Sequence, residues 1–437
     1  MQDNNRAQKL LEQLELKIKK VQNIKGYILF LSVARDSQAG FLNQELGNIY
    51  RPVQTNDSLK GSFYFEYDDN KYSSGNLNIS AWNDFELFMK SSQLSAFTDE
   101  NPVTIPGLVE YKKPQLCDDE LKNLVLNNPE KLLDLVSEFK DKHSPYKSIN
   151  IEGNGSIGYY QSAITTSEGF RNSSDSTTLG LSAEYNMGVF FYQESRKLFD
   201  VKELDKKIEV YTNYANILSS DKKSIPSGEY TVLLEPDATY PFLNKFILEN
   251  INGNFVDAGT TRFSKDDFVT HKNIFNEDLN IRINQVEDYL IESFSFDSEG
   301  VLPRDFNLIE NGSLQSPICD LKSGKKLGFT SCHFSSLRYT EITSNRMESY
   351  EKFLQSHNRF ILIFSFLGIH TQNKVLGKYS LPAPHAVFVE NGEIIAPINC
   401  VISGDAFEKF LSDDFYFVQT DYQNYPSLTF KTEVTIV

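Results

Sequence analysis

The stretch GEYTVLLEPDATYPFLNKFILENINGN, residues 228–254, decides how the second half of the chain is organised. Its pattern predicts a buried strand from Tyr230 to Leu234, then a turn at Glu235-Pro236-Asp237. A helix is expected from about Pro241 to Asn252, because proline is tolerated at the start of a helix, where its missing N–H is not needed. Catalytic and binding residues often lie where a strand is followed by a short turn and a helix that opens on a cleft.

The polar side of the predicted helix offers Asn244, Lys245 and Glu249. Lys245 and Glu249 are four residues apart, so their side chains are expected to pair weakly. A hydrolytic zinc site would instead need imidazole ligands and a carboxylate that activates water. The three residues present bind zinc poorly. The stretch therefore leaves two alternatives open, an enzyme or the inert half of one.

Composition excludes several classes of protein. The chain has 437 residues, 13% of them aromatic, which is long enough for two or three domains with real cores. The formal net charge of −16 argues against sequence-independent binding of nucleic acid, which depends on Lys and Arg. No signal peptide is visible, and no stretch has the roughly 18 apolar residues that a membrane span needs. We expect a cytoplasmic protein without nucleic-acid or membrane contacts.

Cysteine and histidine usage suggests no obvious metal site. The four cysteines lie far apart without a CxxC spacing, which favours free thiols in a reducing compartment. Cys332, His333 and His370 could still form a relocated set of metal ligands. No two histidines have the spacing of helical ligands, however, and isolated histidines are usually surface or core residues. Zinc in this chain is therefore not the favoured interpretation.

Composition shifts divide the chain into three expected domains of an α+β protein. These are an N-terminal α/β domain (1–100), a middle domain of helices and strands (115–224) and a large β-rich C-terminal domain (228–437). The glycine-rich run 153–158 matches GxGxxG, but the residues that follow it favour a strand. Since a dinucleotide site needs a helix there, a glycine-rich hairpin is preferred.

Two Asn-Gly pairs, Asn311-Gly312 and Asn391-Gly392, predict tight hairpin turns. Asn and Gly supply the positive φ angles that a two-residue hairpin turn requires. Each pair follows an apolar run of strand-like residues, so a two-stranded hairpin is expected at both places.

Three stretches resemble the TldD/PmbA family, also called the modulator of DNA gyrase family. They are GEYTVLLEPD (228–237), FDSEGVLPRDFNLIENGSLQSPICDLKSGKKLG (296–328) and GKYSLPAPHAVFVENGEIIAPINCVISG (377–404). The middle stretch is the most specific of the three. The resemblance covers most of the chain and implies the family's fold, with a large β-rich C-terminal domain.

The resemblance implies a subunit that lacks the catalytic metal. One kind of chain in the family carries HExxxH on the helix after this strand and is a zinc peptidase. The other kind, PmbA or TldE, lacks that motif and pairs with the first in a heterodimer that degrades or trims peptides. Asn244 stands at the first His position, Lys245 at the Glu position and Glu249 at the second His position, so this chain is similar to the PmbA/TldE kind.

The implied function is therefore that of a non-catalytic subunit. It would bind no metal itself, complete the substrate cleft of a TldD-like zinc peptidase, and contact an extended peptide. The cleft candidates are Asn244, Lys245, Glu249, Arg304 and His370. The 329–337 stretch and the loop at His370 depart from the family pattern, which suggests a diverged member, for example one that matures peptide natural products.

Two other functions stay open at this point. The first is an active metallopeptidase whose relocated ligands are Cys332, His333 and His370. The second is a non-enzymatic regulator of a gyrase or toxin system, which would have to act through protein contacts because the chain is acidic.

Overall fold

The computed structural model describes residues 6–44, 47–77, 80–146, 149–186, 188–276, 279–334, 340–423 and 425–437. Helices and strands alternate without a regular repeat, so the predicted α+β class is confirmed. The strands are β1 (Ile24–Gln44), β2 (Gly47–Tyr67), β3 (Lys71–Asn76), β4 (Phe97–Thr98), β5 (Ile151–Thr166), β6 (Arg171–Tyr185), β7 (Val189–Ser195), β8 (Gly228–Leu234), β9 (Asn280–Asn284), β10 (Asp305–Glu310), β11 (Ser313–Leu314), β12 (Glu341–Thr343), β13 (Glu348–Ser349), β14 (Arg359–Ser365), β15 (Lys378–Glu390), β16 (Glu393–Asp405), β17 (Tyr416–Gln419) and β18 (Ser427–Ile436).

The helices fall into the same order along the chain. They are α1 (Arg6–Ile18), α2 (Ser80–Asn83), α3 (Phe85–Leu94), α4 (Asp119–Asn127), α5 (Leu132–Lys142), α6 (Asp205–Leu218), α7 (Pro236–Leu243), α8 (Glu249–Ile251), α9 (Gly253–Asp257), α10 (Lys265–Val269), α11 (Leu321–Leu327), α12 (Tyr350–Ser356) and α13 (Ala406–Phe410). A π-helical turn, Asn244–Leu248, joins α7 to α8.

One seven-stranded sheet runs through the first half of the chain, in the order β4-β3-β2-β1-β5-β6-β7. Its central pair is β1 and β5, which pair antiparallel from Ile28↔Thr166 to Asn43↔Ile151. Strands from both sides of the expected boundary near residues 101–114 thus belong to the same sheet.

Two hydrophobic cores lie along this sheet, and β1 contributes to both. Leu29 and Leu31, near the beginning of β1, pack with α1 and α3. Ala39 and Phe41, near its end, pack with α4, α5 and α6. Ile28, whose side chain alternates with these, packs instead against Phe296 of the C-terminal half. The other side of the sheet therefore contacts the C-terminal half of the chain.

The glycine-rich run 153–158 lies within β5, as a strand and not as a nucleotide-binding turn. A Cβ at Gly153 would meet the Phe41 ring at 2.1 Å, and a Cβ at Gly155 would meet Val136 at 2.6 Å. Glycine is needed there because a ring and a helix side chain lie directly on the strand.

The C-terminal half contains a second seven-stranded sheet and a small four-stranded one. The larger sheet has the order β13-β17-β18-β16-β15-β14-β8, and β18 also pairs with β8. That extra pairing closes β8, β14, β15, β16 and β18 into a ring. Strand β8 runs parallel to β14 and antiparallel to β18, so it is held on both edges before the chain enters α7.

The two predicted Asn-Gly hairpins are confirmed at β10–β11 and β15–β16. Asn311 and Gly312 have φ angles of 49° and 75°, and Asn391 and Gly392 have 52° and 78°. In the part of the chain that the structure describes, no helix is long and apolar enough to cross a membrane.

Candidate functional site

The helix after β8 begins five residues earlier than the sequence suggested. Pro236, not Pro241, stands at the first helical position, and Glu235 precedes it as the N-cap residue. Pro241 lies inside α7, where it has no N–H to donate and its ring crowds the carbonyl four residues earlier. The prediction was wrong because either proline could stand at the start of a helix. The helix begins at the first proline, Pro236, directly after the buried end of β8.

A π-helical turn, Asn244–Leu248, lies at the positions to which the family resemblance assigns the HExxxH motif. In a regular α-helix, residues i and i+5 point about 140° apart, since each residue advances about 100°. A π-helical turn pairs residue i with i+5, so it brings Asn244 and Glu249 toward the same side. The backbone therefore has a geometry suited to an i, i+5 ligand pair, whereas the side chains at those two positions are an amide and a carboxylate.

Lys245 is largely buried between two oxygen acceptors. Its side chain is 10% exposed, and its ammonium lies 3.2 Å from Glu249 Oε2. The same ammonium donates to the His370 carbonyl oxygen at 2.9 Å. The predicted Lys245–Glu249 pair is present, and it also holds a distant loop.

That loop, residues 368–376, is referred to here as the covering segment. Asn250 donates to the Lys374 carbonyl oxygen at 2.9 Å, and Lys374 Nζ donates back to the Glu249 carbonyl oxygen at 3.2 Å. The Lys374 ammonium also lies 3.6 Å from the centre of the Phe255 ring. The covering segment is thus held against the helix at several points, through the His370 and Lys374 carbonyl oxygens and through the Lys374 side chain.

These residues do not fit a zinc ion. The Lys245 ammonium would repel a dication, and Asn244 is a weak ligand, so Glu249 alone offers a usable donor. Across the described ranges, no three His, Cys, Asp or Glu side chains are grouped so that they could hold a metal ion. The side chains at the π-helical turn therefore do not form a zinc ligand set.

The alternative ligand set is not brought together either. The Cys332 thiol is buried, which raises its pKa and favours the neutral thiol. His333 lies 3.6 Å from Asp297, and hydrogen bonding to that carboxylate raises the pKa of the imidazole. His370 contacts Lys245 through its main chain, in the covering segment.

Arg304 lies near this second group of residues and not beside Lys245 in the contacts described. Its guanidinium stacks 4.9 Å from the Phe306 ring centre, and its charge acts on Cys332. Burial raises the pKa of the neighbouring Glu292 and Glu299 carboxyls to about 7. The five cleft candidates are therefore split between the α7 region and the Cys332 region.

A cleft of about 270 Å³ lies beside the first turn of α7, between the two halves of the chain. We name it the tyrosine cleft, because tyrosines from separate parts of the chain line it: Tyr192, Tyr211, Tyr240, Tyr289 and Tyr425. Glu194, Lys207 and Asp237 add charged groups to its walls. Strand β7, which lies at the edge of the first sheet, provides one side of it.

Sequence reasoning missed the tyrosine cleft. Its lining comes from β7, α6, α7 and two loops, and it extends in sequence from Tyr192 to Tyr425, so no local pattern marks it. The single local signal was the run Pro236–Pro241, whose polar members Asp237 and Tyr240 follow a buried strand. Tyr240, which lines the cleft, and Asn244 are four residues apart on the half-exposed side of the helix, so the π-helical turn begins one helical turn beyond the cleft.

A fully buried carboxyl group, Glu235, lies behind the cleft. The Tyr422 hydroxyl is 3.0 Å from both of its oxygens. Burial raises the pKa of Glu235 to about 8, and the charge of Asp237 adds to this effect. The carboxyl is therefore protonated at neutral pH, next to the first turn of α7.

Comparison with known proteins shows what this chain is similar to. Residues 227–429 match the model of the PmbA/TldA metallopeptidase C-terminal domain. An uncharacterised protein of Methanocaldococcus jannaschii is 23% identical over 69% of this chain and 72% of its own length. The metalloprotease PmbA homologue of Haemophilus influenzae is 35% identical over 25% of this chain and 24% of its own length.

Solved structures share the fold along nearly the whole chain. TldE from Thermococcus kodakarensis has a TM-score of 0.77 at 17% identity, over 97% of this chain and 99% of its own. A proposed modulator of DNA gyrase from Bacteroides thetaiotaomicron has a TM-score of 0.78 at 18% identity, over 98% of this chain and 99% of its own. At this level of identity, the two structures show the same fold.

Proposed function

We propose that this chain, whose resemblance to the TldD/PmbA family is confirmed by its C-terminal domain, is a non-catalytic subunit of a zinc metallopeptidase complex. A TldD-like partner would hold the zinc ion, and this chain would form part of the wall along which an unfolded peptide lies. The fold supports the proposal, since it resembles that of TldE over almost the full length. The expected cytoplasmic location stays a prediction.

The observation that carries this proposal is the π-helical turn at Asn244–Leu248. Its geometry suits two ligands at i and i+5, yet Asn244 and Glu249 occupy those positions and Lys245 replaces the acid between them. The Lys245 ammonium is held by Glu249 and by the His370 carbonyl oxygen. A helix that keeps the shape of a metal site without its ligands is expected of a subunit that supports catalysis elsewhere.

The tyrosine cleft is the place where we expect the peptide to lie. It is open beside α7, and β7 at the sheet edge forms one of its walls. An extended peptide can add to a sheet edge through main-chain hydrogen bonds, which tolerate many sequences. Tyrosine side chains add rigid contact area with a polar end, which suits unfolded segments of varied composition.

Co-expression with a partner tests the proposal. The tagged full chain is produced alone and together with a TldD-like chain that carries HExxxH, and the products are separated by size-exclusion chromatography. We expect a stable complex that hydrolyses an unfolded peptide and holds zinc. Exchanging the Glu of the partner's HExxxH for Gln should abolish hydrolysis without dissociating the complex.

The isolated chain provides the decisive control. It should neither hydrolyse the peptide nor retain stoichiometric zinc after dialysis, as measured by atomic emission. Hydrolysis by the chain alone, or one tightly bound zinc ion per chain, would overturn the proposal.

A further inference from the structure

The tyrosine cleft combines aromatic walls with carboxylates in a way that suits a cation. Asp237, in the first turn of α7, and Glu194, on β7, both line it. Tyrosine rings attract cations through the negative face of their π system. Tyr289 already makes such a contact, because the Lys197 ammonium lies 4.5 Å from the centre of its ring.

The negative charge of the two carboxylates extends into the walls of the cleft. Asp237 contributes to the raised pKa of Glu235 behind it, after burial, which is the larger cause. Glu194 contributes in the same way to the pKa of Glu292, which burial raises to about 7. The charges of Asp237 and Glu194 thus act on the walls of the cleft, and negative charge there favours a nearby cation.

The basic side chains nearby donate hydrogen bonds to main-chain carbonyl groups. Lys207 Nζ donates to the Tyr192 carbonyl oxygen at 2.7 Å. Arg196 donates to the Leu290, Ile291 and Ser293 carbonyl oxygens at 2.7–2.9 Å. These contacts hold the cleft walls in position.

We propose that the tyrosine cleft selects peptide segments that carry a lysine or arginine side chain. This inference rests on the proposed function for the peptide nature of the ligand, and it adds the class of side chain that the cleft prefers. The ammonium or guanidinium group would lie against tyrosine rings, close to Asp237 and Glu194. The net charge of −16 also attracts basic segments over longer distances.

Matched peptides test the proposal on the full chain. Three heptapeptides with blocked ends, Ser-Gly-Ser-Xaa-Ser-Gly-Ser, carry Lys, norleucine or Glu at Xaa, and their binding is measured by isothermal titration calorimetry. We expect the Lys peptide to bind about tenfold more tightly than the norleucine peptide, which has the same length without the charge. The Glu peptide should bind least.

Variants of the two cleft carboxylates test whether they cause the preference for the Lys peptide. Asp237→Asn keeps the acceptor for the Tyr211 hydroxyl, which lies 3.2 Å from Asp237 in the wild-type chain, and removes the charge. It should reduce the Lys-to-norleucine ratio to about threefold or less. Glu194→Gln should act in the same direction. Glu393→Gln, on the exposed tip of the β15–β16 hairpin, removes one charge far from the cleft and should leave the ratio unchanged.

Three outcomes would overturn the inference: equal binding of the Lys and norleucine peptides, no measurable binding of the Lys peptide, or an unchanged ratio in both Asp237→Asn and Glu194→Gln. The co-expression experiment separates this failure from failure of the proposed function. A complex that hydrolyses peptides without a charge preference contradicts the inference alone. A chain that prefers the Lys peptide but forms no peptidase complex contradicts the proposed function alone.

Discussion

At the scale of single residues, Lys245 acts as a structural cation at the position to which the family resemblance assigns the glutamate of HExxxH. Its ammonium connects the Glu249 carboxylate to the covering segment through the His370 carbonyl oxygen. A largely buried donor that satisfies two acceptors contributes more than an exposed ion pair, because its loss leaves partners unpaired.

Replacing Lys245 by Met should therefore lower stability by about 1–3 kcal/mol, since the apolar stem is retained and the donor is lost. Thermal unfolding followed by circular dichroism measures the change. Hydrogen exchange followed by mass spectrometry should also show faster exchange in residues 368–376. The control is Lys90→Met, on the exposed side of α3, which should alter neither quantity. Unchanged exchange in the covering segment would show that Lys245 does not hold it.

Glu235 makes the stability of the folded protein depend on pH. Burial raises its pKa in the folded state to about 8, whereas the ordinary value is 4.5. Between these two values the unfolded chain releases the proton and the folded chain keeps it. The contribution of Glu235 to stability is therefore complete below about pH 4.5 and is lost as pH rises to about 8.

Glu235→Gln should remove this dependence while it keeps a hydrogen-bond acceptor for Tyr422. The variant should gain stability relative to the wild-type chain between pH 5 and pH 8, by at most a few kcal/mol at about 1.4 kcal/mol per pKa unit. Urea unfolding at several pH values measures the difference. Glu292 and Glu299 titrate in both proteins, so the difference isolates Glu235. A difference that does not vary with pH would contradict the assignment.

At the scale of elements, the π-helical turn makes a prediction that a regular helix would not. Two histidines at 244 and 249 should lie on one side of the turn, whereas histidines at 244 and 248 would be the better pair in an α-helix. We expect Asn244→His/Glu249→His to bind Zn²⁺ about tenfold more tightly than Asn244→His/Leu248→His. Both variants carry Lys245→Met, which removes the repelling ammonium, and competition with a chromophoric chelator measures the affinities.

The reverse order of affinities would indicate that residues 244–249 form an ordinary α-helix in solution. Equal and weak binding by both variants would indicate that the covering segment keeps the ion away from these positions. A Lys374→Met variant, which loses the bond to the Glu249 carbonyl oxygen, would then distinguish blocked access from unsuitable geometry.

The elements differ in how far the sequence determines them. The Asn311-Gly312 and Asn391-Gly392 turns were predictable, because positive φ angles restrict the residues that fit. The start of α7 was not, since Pro236 and Pro241 both suit a first turn and only the register of β8 between β14 and β18 distinguishes them. The π-helical turn has no local pattern of its own.

The candidate site was harder to predict from the sequence than the hairpin turns were. The mismatch between a zinc ligand set and the residues Asn244, Lys245 and Glu249 was visible in the sequence, because all three belong to one short stretch. The tyrosine cleft was not, because Tyr192, Tyr289 and Tyr425 meet through the packing of distant segments. Tertiary contacts between remote strands and loops decide which tyrosines become neighbours.

At the scale of the whole molecule, the first sheet joins the two segments that the sequence separates at residues 101–114. Strand β5 supplies Ala163 to the core around α1, and Glu15 of α1 accepts a hydrogen bond from the Arg171 side chain on β6. Thr165 of β5 donates to the same carboxylate at 3.2 Å. The N-terminal segment thus depends on strands that follow the expected boundary.

A fragment of residues 1–100 should therefore fail to fold, because it lacks β5 and leaves the central edge of β1 without a neighbour. A fragment of residues 1–224 contains every strand of the sheet and should fold into a protease-resistant unit, although its contact at Ile28 with Phe296 is lost. Circular dichroism and limited trypsin digestion of the two purified fragments measure this. Cooperative thermal unfolding of the 1–100 fragment would show instead that the first segment is an independent domain. The shared sheet would then be a docking contact between two folded units, and β1 would be stable with β2 as its single long neighbour.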